Sequence, residues 1–404
     1  MAHPVRVAVT GLGGLCAIGA DVPTLWRALL AGQTGIGPIT AIPTDRIQAR
    51  IAAQCSFDPA EHFDPRRVPL MDRATAMAVV AAREAMMDAG LNAGLATDPA
   101  QAHRRGVVLG AAIGQTSLDA AYLAFYGAGA SRVHPLTVPR LMPNAAAAHV
   151  SMEFGLRGPC FATASACASA THAIGQALDL IRAGRADVVL AGGADASLVP
   201  GVLKAWEGLR ILSQDGCRPF SQDRSGLVLG EGAAVLVLER WDHAVARGAR
   251  IHAELSGVGM TADGQDLTAP SSDGAARAMQ GALDDASVTE DEIGTINAHG
   301  TGTRLNDRTE AAAIHTVFRH PPPTSSSKGA IGHCLCAAGA IEAVITVMAL
   351  RTQTLPPTVG FRVPDPECAI DPVPVARAAS IGAALSNSFA FGGMNASVLF
   401  RAVR

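Results

Sequence analysis

The chain has 404 residues, more than one average domain, and its 49% apolar and 17% charged residues exclude a disordered protein and leave material for a large core. A formal charge of −3 argues against broad nucleic-acid binding, and no run of roughly 18 apolar residues free of charge or glycine marks a membrane span. Eight scattered cysteines without a disulfide-framework spacing fit a reduced, cytoplasmic protein.

Val5-Arg6-Val7-Ala8-Val9-Thr10 predicts a short strand entering a turn at Gly11-Leu12-Gly13-Gly14. The glycines lack the full spacing of a dinucleotide-binding turn, and too little positive charge precedes the segment for an export signal. Arg73 to Ala89 is Ala-rich with apolar residues at helical spacing, and Val107 to Gly110 reads as a second strand. Loop signals from Tyr122 give way to an Ala-rich helix near His149. Ala164 to Ala170 runs into a helix with Ile174, Leu178 and Ile181 on one face, followed by a C-cap at Gly184 and a strand from Asp187 that ends at Gly192-Gly193. The second half repeats this order loosely. Ile251 to Gly259 and Gly294 to His299 are strand-like, and Gly332-His333 leads into a helix with Ile341, Val344, Ile345 and Met348 on one face. Ile381 to Ser388 and Ala396 to Phe400 form two more strands about the Gly392-Gly393 turn. The pattern predicts a duplicated α/β unit of residues 1–250 and 251–404, with the join near Trp241 to Arg250.

Cys167 lies at a predicted helix start among small residues. Free N–H groups and the positive end of a helix dipole there favour a thiolate, and the small neighbours leave room at the sulfur. Cysteine is also a common small core residue, so Cys167 alone does not define a nucleophile. His299 ends a strand in His299-Gly300-Thr301-Gly302-Thr303, and His333 follows Lys328 by five positions. Two histidines at Gly-rich junctions occupy the places where α/β folds put ligands.

Ser165-Ala166-Cys167, the His299-to-Thr303 loop and Lys328-Gly329-Ala330-Ile331-Gly332-His333 together resemble the three signatures of β-ketoacyl-acyl-carrier-protein synthases. Asn306-Asp307 with Glu310, the run from Asn387 to Ala396, and Arg218-Pro219-Phe220 through Gly230-Glu231-Gly232 match as well, in order over essentially the whole chain. The likeness extends to type II polyketide ketosynthases. It implies the thiolase fold, a five-layered α-β-α-β-α arrangement from two duplicated halves, the first carrying the nucleophile and the second both histidines and the lysine. The implied reaction is a decarboxylative condensation of an acyl chain held on Cys167 with malonyl carrier protein, with no metal or cofactor. His299 and His333 would donate to the malonyl thioester carbonyl, and the backbone N–H groups of Cys167 and Phe391 would form the oxyanion hole. The resemblance also implies that Lys328 orders the site with Glu342, that Phe391 gates it with Phe389 behind, and that Thr301 and Thr303 bind the pantetheine arm. Ile113 and Trp206 would line the acyl pocket, and Arg66, Arg67 and Arg210 would meet an acidic carrier protein. Implied partners are acyl- and malonyl-loaded carrier protein, and a second copy or a chain-length factor; neither nucleic acid nor a membrane is implied.

The pattern departs from the family at Ala390 and Cys336, where glycine is usual, and at Trp206, where phenylalanine is common. Ala390 predicts a stiffer gating loop. A zinc site from His333, Cys334 and Cys336 is the competing local reading; with the helix begun, the two cysteines at an i, i+2 offset point apart. A thiolase would need a second catalytic cysteine in a Cys-x-Gly setting, and Cys368 is not so placed. A CoA-primed initiating synthase would carry asparagine in place of the second histidine. A chain-length factor would lack Cys167, so this chain is expected to be the active subunit, alone or beside such a factor.

Overall fold

The computed structural model describes residues 5–91, 99–112 and 114–403. Ten strands form the main sheet: β1 Val7–Cys16, β2 Arg105–Ala111, β3 Cys160–Thr163, β4 Val188–Asp195, β5 Gly232–Arg240, β6 Ala253–Ala262, β7 Ile293–Asn297, β8 Thr324–Ser325, β9 Ala383–Ala390 and β10 Met394–Arg401. Their order is β8-β7-β9-β10-β6-β1-β5-β4-β2-β3. Counted outward from the centre, each group of five runs first, fifth, fourth, second, third. In each group the first two pairings are antiparallel and the last two parallel. The groups meet where Val7 to Val9 pair antiparallel with Leu255 to Ala253. Two copies of one α/β unit give this arrangement.

Five helices make the layers: α1 Arg73–Asp88, α2 Ser169–Arg182, α3 Ser272–Ala286, α4 Arg304–Val317 and α5 Ala338–Thr352. The strands are apolar on both faces, as a sheet covered on both sides requires. In β5, Ala233, Val235 and Val237 face the core under α1, while Ala234, Leu236 and Leu238 face α2 and α5. In the other group, Leu385 and Leu399 face α3 and α4, while Ala384, Val398 and Phe400 join the same central core. The layers therefore run helix, sheet, helix pair, sheet, helix. Helix α5 is buried all round rather than on one face, which a helix between two sheets must be. Leu335 to Thr352 is long and apolar enough to cross a membrane, but 89% of it lies buried in this core.

The glycines of β1 have a different use from the one their sequence suggests. Strand β1 continues through Gly11 and Gly13 to Cys16. A Cβ on Gly11 would lie 2.1 Å from the Ala85 carbonyl oxygen, and one on Gly13 only 2.0 Å from that of Ala81. Helix α1 thus rests directly on the strand backbone. The second half repeats the device, with Gly257 and Gly259 facing the carbonyls of Ala282 and Ala278 at 2.4 and 2.0 Å. Likewise β4 runs on through Gly192 and Gly193 to Asp195 instead of ending there.

Candidate active site

Cys167, His299 and His333 come together at one cavity of about 680 Å³, lined also by Trp206, Arg210, Thr301, Thr303, Phe389 and Phe391. The Cys167 sulfur and one ring nitrogen of each histidine lie within 4.8 Å of one another. Cys167 sits in a tight 3-10 turn, Ala166–Ala168, immediately before α2 rather than on its first turn. Ala166 takes φ 49°, a left-handed backbone that a small side chain tolerates best. The Ser169 hydroxyl pins the turn, donating to the Ala166 carbonyl at 2.7 Å and accepting from the Ser165 N–H at 2.9 Å. Burial pushes the Cys167 thiol up to about 12 despite the opposing charge of Lys328. That overturns the expectation of a resting thiolate: the helix end acts locally, but the thiol lies in an apolar cluster with Leu198, Leu203, Leu229 and Leu335.

Both imidazoles are neutral. Burial and then the Lys328 charge hold His299 and His333 well below the ordinary histidine value. Their tautomers follow from their partners. Lys328 Nζ, which can only donate as an ammonium, lies 3.4 Å from His299 Nδ1, so the His299 proton sits on Nε2. His333 Nδ1 accepts from the Leu335 N–H at 3.3 Å, so its proton is on Nε2 too. That Nε2 is buried without a hydrogen-bond partner among the described residues. The rings stand 5.2 Å apart and nearly perpendicular, at 80°. Lys328 is fully buried and ion-paired with Glu342 on α5, whose carboxyl burial pushes up to about 6 against the pull of Lys328.

The loop after β7 is anchored by residues whose roles the motif spacing alone did not disclose. Asp307 and Glu310, at i and i+3 on α4, face the same way. Glu310 accepts the N–H groups of His299 and Gly300 at 2.8 and 2.7 Å, and Asp307 accepts that of Gly302 at 3.1 Å. Gly300 and Gly302 take φ 33° and 78° to present those amides. The Thr301 and Thr303 hydroxyls lie 2.9 Å apart. The Asp307-x-x-Glu310 spacing after the histidine loop was the available signal.

At the mouth, Phe391 stacks on Trp206 with centroids 5.9 Å apart, and Phe389 meets His299 edge-on at 6.3 Å. Ala390 is the last residue of β9, in extended backbone, so its Cβ meets no left-handed strain there; the turn is made by Gly392 and Gly393 at φ 84° and 68°. Cys336 does not line the cavity; its N–H donates to Asp195 at 3.4 Å, and the Ser169 hydroxyl lies 3.8 Å from its sulfur. Arg210 is exposed at the cavity mouth and Arg66 is exposed on the surface. Arg67 is not a free cation, being paired with Glu153 at 2.6 Å over the Phe63 ring. Ile113 lies outside the described residues.

Cys167, His299 and His333 are a donor set that a soft cation could use. Binding one would require the thiolate, against the raised thiol pKa, and would place a second positive charge near Lys328. The arrangement suits a neutral carbonyl that becomes an oxyanion: two buried N–H donors beside a nucleophile.

Residues 5–244 match the model for the Beta-ketoacyl synthase N-terminal domain and residues 252–362 that for its C-terminal domain. Nodulation protein E of Rhizobium sp. (strain N33) is 47% identical over 403 residues, covering 98% of this chain and 99% of that one. The 3-oxoacyl-[acyl-carrier-protein] synthase 2 of Staphylococcus aureus (strain MRSA252) is 39% identical over 414 residues, covering 99% of each. Among solved structures, the ishigamide ketosynthase/chain length factor superposes with a TM-score of 0.93 at 36% identity, over 99% of this chain and 100% of that one.

Proposed function

The chain belongs to the β-ketoacyl synthase family, and from that premise we propose how its residues divide the work of the reaction. It is an acyltransferase of the 3-oxoacyl-[acyl-carrier-protein] synthase type, lengthening an acyl chain by decarboxylative condensation in fatty-acid or polyketide assembly. The N-terminal half, through residue 250, supplies the nucleophile, and the C-terminal half, from residue 251, supplies the histidines and lysine.

Cys167 sulfur attacks the carbonyl of an acyl carrier-protein thioester. A new C–S bond forms, the carrier thiol leaves, and the Cys167 proton ends on that thiol. Malonyl carrier protein then enters. Its C–CO₂ bond breaks, carbon dioxide departs, and the electron pair moves onto the thioester oxygen as an enolate. The Nε2–H groups of His299 and His333 donate to that oxygen. The enolate carbon attacks the Cys167 thioester, forming the C–C bond and expelling the thiolate, which takes a proton from solvent. Backbone N–H groups of Cys167 and Phe391 hold the tetrahedral oxyanion. The observation that carries this reading is the pair of Nε2–H donors, one of them unpartnered, beside a buried thiol.

Lys328 fixes the tautomer of His299, and Glu342 balances its charge. Phe391 and Trp206 close the acyl mouth with Phe389 behind, and Thr301 and Thr303 take the pantetheine arm. Arg210 and Arg66 offer charge to an acidic carrier protein. A second copy or a chain-length factor is the subunit partner; β3 ends the sheet with an open edge, and Tyr122, Phe125 and Tyr126 are exposed large apolar side chains. Eight free thiols suit a reducing, cytoplasmic setting. Intact-mass measurement after incubation with a panel of acyl carrier proteins tests the reading. An acyl adduct on Cys167, discharged by malonyl carrier protein, is expected; an adduct on another cysteine, or one that malonyl carrier protein leaves in place, counts against it.

A further inference from the structure

Arg224 is a buried guanidinium at the edge of the cavity with no part in the reaction steps, only 2% exposed, on the segment between β4 and β5. Its hydrogen bonds gather three stretches of chain. One nitrogen donates to the Ser221 carbonyl at 2.9 Å and is ion-paired with Asp365. Another donates to the Arg304 carbonyl at 3.2 Å, and Nε donates to the Thr303 carbonyl at 3.4 Å. Asp307, 3.6 Å from Nε, meanwhile accepts the N–H groups of Gly302 and of Phe220. The Thr301-to-Arg304 loop is thus held from α4 through the Gly302 amide and from Arg224 through the Thr303 and Arg304 carbonyls. Asp365 lies just past the residues that match the C-terminal domain model, which end at 362.

We infer that Arg224, oriented by Asp365, is a positioning residue that sets the Thr301 and Thr303 hydroxyls for the pantetheine arm. A planar fork reaching three carbonyls and a carboxylate fixes a loop in a way that a single ammonium does not. The inference rests on the arm-binding role of those threonines. Arg224 acts through the loop, so its loss weakens arm binding while leaving the thiol and imidazoles in place.

The test compares Asp365→Asn, Arg224→Lys and Arg224→Met with the Thr301→Ala/Thr303→Ala double variant. Condensation kinetics with malonyl carrier protein are measured alongside Cys167 alkylation by iodoacetamide, a reagent with no arm. For Asp365→Asn and Arg224→Met we expect KM to rise about tenfold, kcat to stay within about twofold, and alkylation to be unchanged; Arg224→Lys falls between wild type and Arg224→Met. An unchanged KM, or a loss of alkylation in step with condensation, overturns the inference, the latter because it marks a merely loosened fold. If the threonine variant raises KM and the Arg224 and Asp365 variants do not, the positioning role alone fails. If the threonine variant leaves KM unchanged, the arm-binding reading fails and the inference falls with it.

Discussion

Two junctions in the molecule have nearly the same backbone and different surroundings. Ala166-Cys167-Ala168 forms a 3-10 turn that opens α2, with Ala166 at φ 49°; Leu335-Cys336-Ala337 forms the same turn before α5, with Leu335 at φ 44°. A cysteine occupies the middle place in both. Cys167 lines the cavity beside two imidazoles, whereas Cys336 is enclosed with Asp195 and Ser169 and does not line that cavity. Duplication therefore delivers the turn twice, and the neighbours decide what each turn can do. In this account the first half's turn receives the acyl group, while the second half contributes the histidine that precedes its own turn.

The sharpest way to break that comparison is to remove each cysteine in turn. Cys167→Ala should lower condensation by about a thousandfold or more, since among the described residues no second thiol lines the cavity. Cys336→Ala should leave the rate within about threefold, because the sulfur touches no substrate. Equal losses in a carrier-protein condensation assay would erase the distinction.

Next in size are the histidines. His299→Ala and His333→Ala should each slow carbon dioxide release from malonyl carrier protein by about 10²–10³, the cost of one oxyanion donor. Acylation of Cys167 should be at least partly retained in both.

The buried ion pair sets the next scale. Lys328→Met leaves the Glu342 carboxyl buried without its partner and should cost about 3–5 kcal/mol in urea unfolding, while adding Glu342→Leu should recover most of it. The glycine contacts repeated in both halves come next. Gly13→Ala and Gly259→Ala should each destabilise by about 1–3 kcal/mol, whereas Gly37→Ala, with nothing within 4 Å of the added Cβ, should stay within about 0.5 kcal/mol.

The smallest effect is in pH. Burial and Lys328 hold both imidazoles below the ordinary 6.5, so the neutral donors persist as pH falls through that value. Carbon dioxide release should show no histidine limb there. Removing the Lys328 charge takes away one depressing influence, so both pKa values rise and a limb should enter from the acid side at higher pH in Lys328→Met.

Much of the site is legible in the sequence because its parts are contiguous. Cys167, the His299-to-Thr303 loop and Lys328 through His333 each carry a glycine-rich or small-residue setting that local rules read directly. The thiol pKa is not legible, because the helix-end argument is local whereas burial among Leu198, Leu203, Leu229 and Leu335 is assembled from distant segments. Arg224 and Asp365 lie 141 positions apart, so their pairing has no sequence signal. Gly11 and Gly13 read as a turn because turn and close approach use the same residue; only the position of α1 tells them apart. The order of the two halves is legible in outline, whereas β5, a continuous apolar run buried on both faces, is not among the predicted strands, and the twin of Cys167 at Cys336 shows only once the two turns are superposed.

The central claim, that the thiol and the imidazole pair perform separable steps, is tested most directly by following carbon dioxide release from malonyl carrier protein in Cys167→Ala, His299→Ala and His333→Ala while reading acylation by intact mass. The account predicts that Cys167→Ala still releases carbon dioxide without forming an acyl adduct, and that the histidine variants form the adduct but release carbon dioxide slowly. Histidine variants that lose the adduct yet decarboxylate at the wild-type rate would contradict it.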